Sequence, residues 1–243
     1  MSNRMNDIWK GLSDWIGDLA DMVYPPVCEV CGCRLVKGEK TVCLECLASM
    51  PRVDAHIDPE NELARRLAAA GKIFRVAAMF RYVRDNDYAR LIQKSKYNGR
   101  PDIDHALAVA FASELHRTGF FDGMDLILPV PMHHMKKLRR GYNQAEEIAA
   151  GVSSVTGIRV ADNLVAKRAH DTQTRKNAAQ RMKNTAGIYD VVYAEELDGR
   201  HILIVDDVIT TGATVLACAE AIRKKAPAAR VSVLALAATH FLQ

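Results

Sequence analysis

Residues 202–214 read Ile-Leu-Ile-Val-Asp-Asp-Val-Ile-Thr-Thr-Gly-Ala-Thr, an apolar run followed by two acids and a loop rich in hydroxyls. Each part has a chemical use. The adjacent carboxylates of Asp206 and Asp207 can accept hydrogen bonds from vicinal hydroxyls. The turn of Thr210, Thr211, Gly212, Ala213 and Thr214 can surround a phosphate with backbone N–H groups and hydroxyls, and Gly212 allows a positive φ or a close backbone approach. Side by side, an acid pair and a phosphate cradle suit a sugar phosphate, ribose 5-phosphate in particular. The competing reading is a buried strand that ends in an Asp-rich turn, with threonines capping a helix. A nucleoside triphosphate P-loop is excluded, because no Gly-Lys-Ser/Thr follows the loop.

Elements must carry these groups to one place. The run 202–205 has the length and β-branched content of a strand buried on both faces of a parallel sheet. Its acids then emerge at the carboxyl end, where open α/β sheets bind ligands. A helix over 213–225 leaves the loop with its positive dipole end facing the same anion. Strands are expected at 74–82, 126–130, 158–164, 187–192 and 231–237, and helices at 60–70, 87–97, 103–117 and from 141 to about 156. The whole reads as an α/β fold with a mostly parallel sheet flanked by helices.

Five of the six cysteines fall between Cys28 and Cys46. Cys28, Cys31, Cys43 and Cys46 form two Cys-x-x-Cys knuckles separated by eleven residues, a spacing that suits a structural Zn²⁺ held by four thiolates. Cys33 is surplus. A redox pair and plain buried thiols are the alternatives. A closed four-thiolate site has no open coordination position, so its expected role is structural, and a segment this small needs the metal to fold.

At 243 residues the chain can bury one substantial core and still carry a small appendage. It is 49% hydrophobic and 26% charged with a formal net charge of +4, so bulk electrostatics alone does not mark a nucleic-acid binder. No apolar stretch reaches transmembrane length and no signal-peptide pattern is present, from which a cytoplasmic protein without stable membrane insertion is expected. Ile8, Trp9, Leu12, Trp15, Ile16, Leu19 and Met22 recur at helical spacing opposite Asp7, Asp14, Asp18 and Asp21, the pattern of an amphipathic helix. The expected order is therefore an amphipathic helix over 1–24, a zinc module over 25–50, a linking stretch over 51–72 and the α/β domain over 73–243.

The segment 202–214 closely resembles the signature that binds phosphoribosyl diphosphate (PRPP) in type I phosphoribosyltransferases. The resemblance extends through Leu128-Pro-Val-Pro-Met-His133, the basic run to Arg140-Gly-Tyr-Asn-Gln-Ala145, the stretch from Arg168 to Asn184 and the N-terminal knuckles. In this order they look like the ComF family of competence-associated proteins, which includes the GntX branch and covers nearly the whole chain. The resemblance implies a type I phosphoribosyltransferase fold with a four-cysteine zinc module, and a link to DNA uptake or use. It implies that Asp206 and Asp207 hold the ribose hydroxyls, that Val208 and Thr210 to Thr214 hold the 5-phosphate, and that Mg²⁺ accompanies PRPP. It places Pro131, His133, Arg139, Arg140, Gly141 and Asn143 in a loop that meets pyrophosphate. Arg168, Arg175, Lys176 and Arg181 fall in the loop that closes over substrate in such enzymes. At that loop the chain departs from the family pattern, reading Asp171-Thr-Gln173-Thr-Arg-Lys.

Two functions stay open at this stage. One is a phosphoribosyltransferase that releases pyrophosphate and has an unidentified acceptor. The other is a PRPP-sensing component of the competence machinery that does no catalysis and binds single-stranded DNA and competence proteins. Basic residues between Lys167 and Lys183 serve either use, since the same cations attract nucleic-acid phosphates. The sequence fits a monomer or an oligomer.

Overall fold

The computed structural model describes residues 25–58, 61–167 and 187–239, and it divides the chain into two compact units after Ser49. The helix expected over 1–24 and the cations Arg168, Arg175, Lys176 and Arg181 lie outside the described residues. In the first unit an antiparallel bridge joins Val27 to Arg34, and a short helix, α1 (Leu44–Ala48), is capped by Cys43.

The second unit begins at Met50. Its elements are β1 (Arg52–Val53), α2 (Glu62–Gly71), β2 (Val76–Tyr82), α3 (Asp87–Asn98), α4 (Pro101–His116), β3 (Leu126–Pro129), α5 (His134–Arg140), α6 (Gln144–Thr156), β4 (Arg159–Val160), β5 (Leu164–Ala166), β6 (Tyr189–Val191), β7 (His201–Ile209), α7 (Ala213–Lys225) and β8 (Arg230–Thr239). Local chemistry sets many of these boundaries. The side chains of Asn61, Asn86 and Asn143 cap α2, α3 and α6, and Pro101 occupies the first turn of α4, where its missing N–H costs nothing. Six strands form one sheet in the order β1-β2-β8-β7-β3-β4. All neighbours run parallel except the edge strand β1.

Sheet position explains the apolar runs. Ile202, Leu203, Ile204 and Val205 are fully buried because β7 has strands on both sides and helices over both faces. Alternation sends Ile202 and Ile204 into a core with Leu63 and Leu67 of α2 and Val215, Cys218, Ala219 and Ile222 of α7. Leu203 and Val205 face the other side, which α4 and α6 cover. Each such aliphatic side chain contributes about 1.5–3 kcal/mol on burial.

Some expectations need correcting. The strand expected over 202–205 continues to Ile209, since β8 runs beside it and pairs Val208 with Ala237 and Ile209 with Ala238. The run expected over 158–164 is two short strands in different sheets. Only β4 joins the main sheet, and β5 pairs antiparallel with β6 in a ladder of its own. The basic run 136–140, read as part of a loop, is the helix α5. The stretch 51–72 supplies β1 and α2, and α2 packs on α7 and β2. No helix among the described residues is long and apolar enough to cross a membrane.

Helices α4 and α6 cross at Gly151. A Cβ there would lie 2.8 Å from both Ala108 Cβ and the His105 carbonyl oxygen. Alanine is the better helix former by about 1 kcal/mol, yet overpacking of about 1–3 kcal/mol opposes it, and the backbone oxygen has nowhere to retreat. Gly151→Ala should therefore lower the denaturant midpoint with an unchanged slope. An unchanged or raised midpoint would show that the crossing has slack.

Candidate functional site

Asp206 and Asp207 lie where β7 outruns β3, whose last register partner is Pro129 opposite Val205, while β7 stays paired with β8 through Ile209. Strand alternation starts the two side chains on opposite faces. Asp206 turns forward, and its Oδ1 accepts the N–H of Asp207 at 2.9 Å. Burial, and then the neighbouring Asp207 carboxyl, push the Asp206 pKa up to about 8. On the α7 side its surroundings include Cys218 and Tyr189, both titrating above their usual ranges, with burial the main cause and Asp206 adding to it.

Asp207 is engaged twice. Its Oδ1 accepts the N–H of Val208 at 2.6 Å, and its Oδ2 lies 2.6 Å from Lys96 Nζ of α3. Burial opposes the charge on Lys96, but Asp207, with Asp206 behind it, outweighs burial and raises the lysine pKa.

The loop after β7 runs through exposed Thr210 and half-buried Thr211 to Gly212, which caps α7 with φ +78°. The positive φ favours glycine there, and a Cβ would also lie 2.7 Å from Leu67 Cδ2, which would have to move. Gly212 has no side chain to cap α7, and the N–H of Ala213 donates to Thr211 Oγ1 at 3.4 Å. The other first-turn N–H groups and the positive dipole end lie beside Thr211 and Thr214. Thr210 is tied back to β8, its carbonyl accepting the hydroxyl of Thr239 at 3.1 Å.

Helix α5 sorts the basic run by its period. Lys136 lies in the field of Asp207 and Lys96, and Arg140, one turn on, lies in that of Lys96 and Lys136. Burial, then Arg140 and Lys96, lower the pKa of Lys136. Lys137 turns away to Glu146 at 2.7 Å, and Arg139 is exposed. The Arg140 guanidinium lies 5.9 Å from the centre of the Tyr97 ring.

Beneath these groups lies a buried polar network. Ser95 Oγ donates to Asp104 and accepts from Gln144 Nε2 at 2.7 Å, while Tyr142 OH donates to the Ser95 carbonyl. Arg140 Nη1 in turn donates to Gln144 Oε1 at 2.9 Å. Burial raises the Asp104 pKa to about 7, and its Oδ1 has no hydrogen-bond partner.

In the first unit the Sγ atoms of Cys28, Cys31, Cys43 and Cys46 lie within 4.8 Å of one another. Cys31 and Cys43 are 3.8 Å apart, matching the edge of about 3.8 Å for a tetrahedron with metal–sulfur bonds of ~2.3 Å. The N–H of Cys43 donates to Cys28 Sγ, and that of Cys46 to Cys43 Sγ, each at 3.4 Å. Cys33 stays exposed at 3.2 Å from Cys31. Such a cluster could hold one metal ion.

Residues 102–240 match the family model described as phosphoribosyl transferase domain. The DNA utilization protein YhgH of Escherichia coli O6:H1 is 30% identical over 88% of this chain and 90% of its own length. Competence protein ComFC of Bacillus subtilis is 24% identical over 83% of this chain and 86% of its own. The chain belongs to the ComF family of phosphoribosyl transferase domain proteins. Competence protein F of Haemophilus influenzae is 32% identical over 55% of this ComF chain, and the match spans 61% of that relative's length, under two thirds.

Of the residues expected at the site, this ComF chain brings Asp206, Asp207, Val208 and Thr210 to Thr214 to one sheet edge. Arg140 stands across from them. His133 caps α5, its Nδ1 accepting the N–H of Met135 at 3.4 Å, and Gly141 ends that helix with φ +91°. Pro131 is half-buried between β3 and α5. Asn143 is buried, with Oδ1 capping α6 and Nδ2 donating to the Val130 carbonyl at 3.0 Å. Sequence reasoning missed Lys96 and the Ser95 network. One signal was available, because Ser95 occupies the buried stripe that Ala89, Leu91 and Ile92 define on α3.

Asp104 gives a pH signature. Unfolded, its carboxyl ionises near ~3.9, whereas the folded chain holds the proton up to about 7. Between these values the unfolded state binds fewer protons, so stability falls as pH rises, by at most about 1.4 kcal/mol per pH unit, and this contribution levels off above the folded value. Asp104→Asn, which is neutral throughout, should make the fall in unfolding free energy between pH 4 and 7 less steep, with Asp206 supplying the slope that remains. An unchanged slope would mean that Asp104 is ionised in the folded protein.

Proposed function

We propose that this chain binds PRPP with Mg²⁺ at the carboxyl end of β7 and transfers its phosphoribosyl group to an acceptor, releasing pyrophosphate. The observation that carries this reading is the convergence of two carboxyls, a glycine-turned threonine loop and a helix N-terminus at one sheet edge, with Lys136 and Arg140 nearby. The ribose hydroxyls donate to Asp207 and Asp206. The 5-phosphate accepts from Thr210, Thr211, Thr214 and the first N–H groups of α7. The cations of α5 stand where charge grows on the departing pyrophosphate.

Positive charge that develops at the anomeric carbon lies near the carboxyl pair. The donor set fits the magnesium expectation: two adjacent carboxyls make no cage and suit a hard cation that shares phosphate oxygens with its substrate. When bound, such an ion supplies charge neutralisation on the diphosphate. The four thiols of the first unit are the ligands of one structural Zn²⁺, as their spacing and mutual distances suggest.

The relatives' names favour a second reading. One relative is named a competence protein and another a DNA utilization protein, and on this reading the pocket serves as a PRPP sensor within a protein that takes part in DNA uptake or use. The two readings share the pocket and differ in turnover.

Calorimetry with Mg²⁺ should show PRPP binding to the wild type and none to the Asp206→Ala/Asp207→Ala double variant. The absence of wild-type heat would remove both readings. Pyrophosphate release in the presence of nucleobases, amines or oligonucleotides supports the transferase, whereas binding without release under every acceptor leaves the sensor.

Metal analysis of the purified chain should find about one zinc per molecule. Cys43→Ser/Cys46→Ser should lose it, and protease should then cut within residues 25–49 first. Full zinc content in the double variant would refute the four-thiolate assignment.

A further inference from the structure

We propose that Lys96 is a diphosphate ligand that Asp207 holds in reserve while the site is empty, and that the exchange of this ion pair selects ligands carrying both vicinal hydroxyls and a diphosphate. The inference rests on the PRPP reading above. Lys96 precedes the residues that the phosphoribosyl transferase domain model covers, 102–240, and comes from a different helix than the other cations of the site.

Lys96 Nζ lies 2.6 Å from Asp207 Oδ2, and the two side chains are only 23% and 17% exposed. An ion pair so far out of water cannot lose one member cheaply, because the charge left behind is poorly solvated. Both oxygens of Asp207 are in use, one by the Val208 N–H and one by Lys96. In the proposed exchange a sugar hydroxyl takes the place of the ammonium on Oδ2, and being neutral it leaves that ammonium without its closest counter-charge.

The buried network fixes where the ammonium can go. The serine next to it, Ser95, is tied through its hydroxyl to Asp104 and Gln144 and through its carbonyl to Tyr142. Gln144 also holds Arg140. Lys96 and Arg140 thus hang from one buried scaffold, which keeps the lysine backbone still while its four-carbon stem swings. The destination is an anion that Arg140 also faces, the diphosphate of the same ligand.

Ribose 5-phosphate alone would strand Lys96, and pyrophosphate alone would strand Asp207. PRPP satisfies both at once. The pair therefore taxes every partial ligand and spares the complete one, which makes Lys96 a determinant of specificity as well as of affinity.

The test is calorimetry on the full chain with Mg²⁺, using PRPP, ribose 5-phosphate and pyrophosphate against wild type and Lys96→Gln. PRPP affinity should fall about 10- to 100-fold, the loss expected for one charge-assisted contact, while ribose 5-phosphate should bind as well as before or better. Equal losses for both, or no loss for PRPP, would overturn the role of Lys96 and leave the PRPP reading standing. A wild type that binds no PRPP would overturn the reading itself. If Lys96→Gln does not fold, Asp207→Asn releases the ammonium and should tighten pyrophosphate binding; unchanged or weaker binding would defeat the proposal.

Discussion

A strand with parallel neighbours on both sides and helices over both faces keeps its side chains out of water until one neighbour ends. In this chain β7 is that strand, and Asp206 and Asp207 stand where it has outrun β3 while β8 still flanks it. The sheet forces them into partial burial, and the rest of the site can be understood as the response. Asp206 meets the cost by keeping its proton to about pH 8. Asp207 meets it with the ammonium of Lys96. One position apart on the same strand, the two acids reach opposite solutions because alternation points one toward the thiol and phenol near α7 and the other toward the cations of α3 and α5.

That arrangement imposes a second demand. Cations brought in by α3 and α5 repel one another and must be held together by something other than their own charge. The Ser95, Asp104, Tyr142 and Gln144 network does so from below, where little water screens it. A buried network of this kind is costly if any member lacks a partner, and Asp104 Oδ1 is such a member. The protonation of Asp104 near neutrality limits the cost, since a neutral carboxyl with one idle oxygen is far cheaper than a carboxylate.

The phosphate loop, the acids and the parallel strands were legible because they are local. Five consecutive positions specify the cradle, and period and run length specify β7. The cysteine knuckles were equally local, with two short spacings that a metal site imposes. Lys96 was not legible, because its importance comes from a partner 111 positions later, by the difference of 207 and 96. The basic run was legible in composition but not in conformation. As a loop it offered four equivalent cations, and only the helix distinguishes Lys136 and Arg140 from Lys137 and Arg139. Asn143 shows a use that the sequence pattern hid. Its amide caps α6 and ties it to the end of β3. The assignment of 187–192 and of the end of the 158–164 run to the main sheet failed because short strands are weakly specified. They carry too little pattern to name their partners, and β5 with β6 closes on itself.

The two sides of the site divide the chemistry between them. The loop after β7 offers glycine conformation, helix dipole, N–H donors and threonine hydroxyls, none of which changes charge near neutral pH. The opposite side is built from ionisable side chains whose charges depend on one another, with Lys136 lowered by burial and then by the cations of Arg140 and Lys96. In the proposed reading, a ligand anchored at the loop by a 5-phosphate would present its reactive end to the adjustable side. Fixed donors would suit the phosphate that stays, and ionisable groups would suit the end whose charge changes as the bond to the leaving group breaks. That division follows from topology, because the loop after β7 continues directly into a helix on one face, while the other face is reached only by helices from distant parts of the chain.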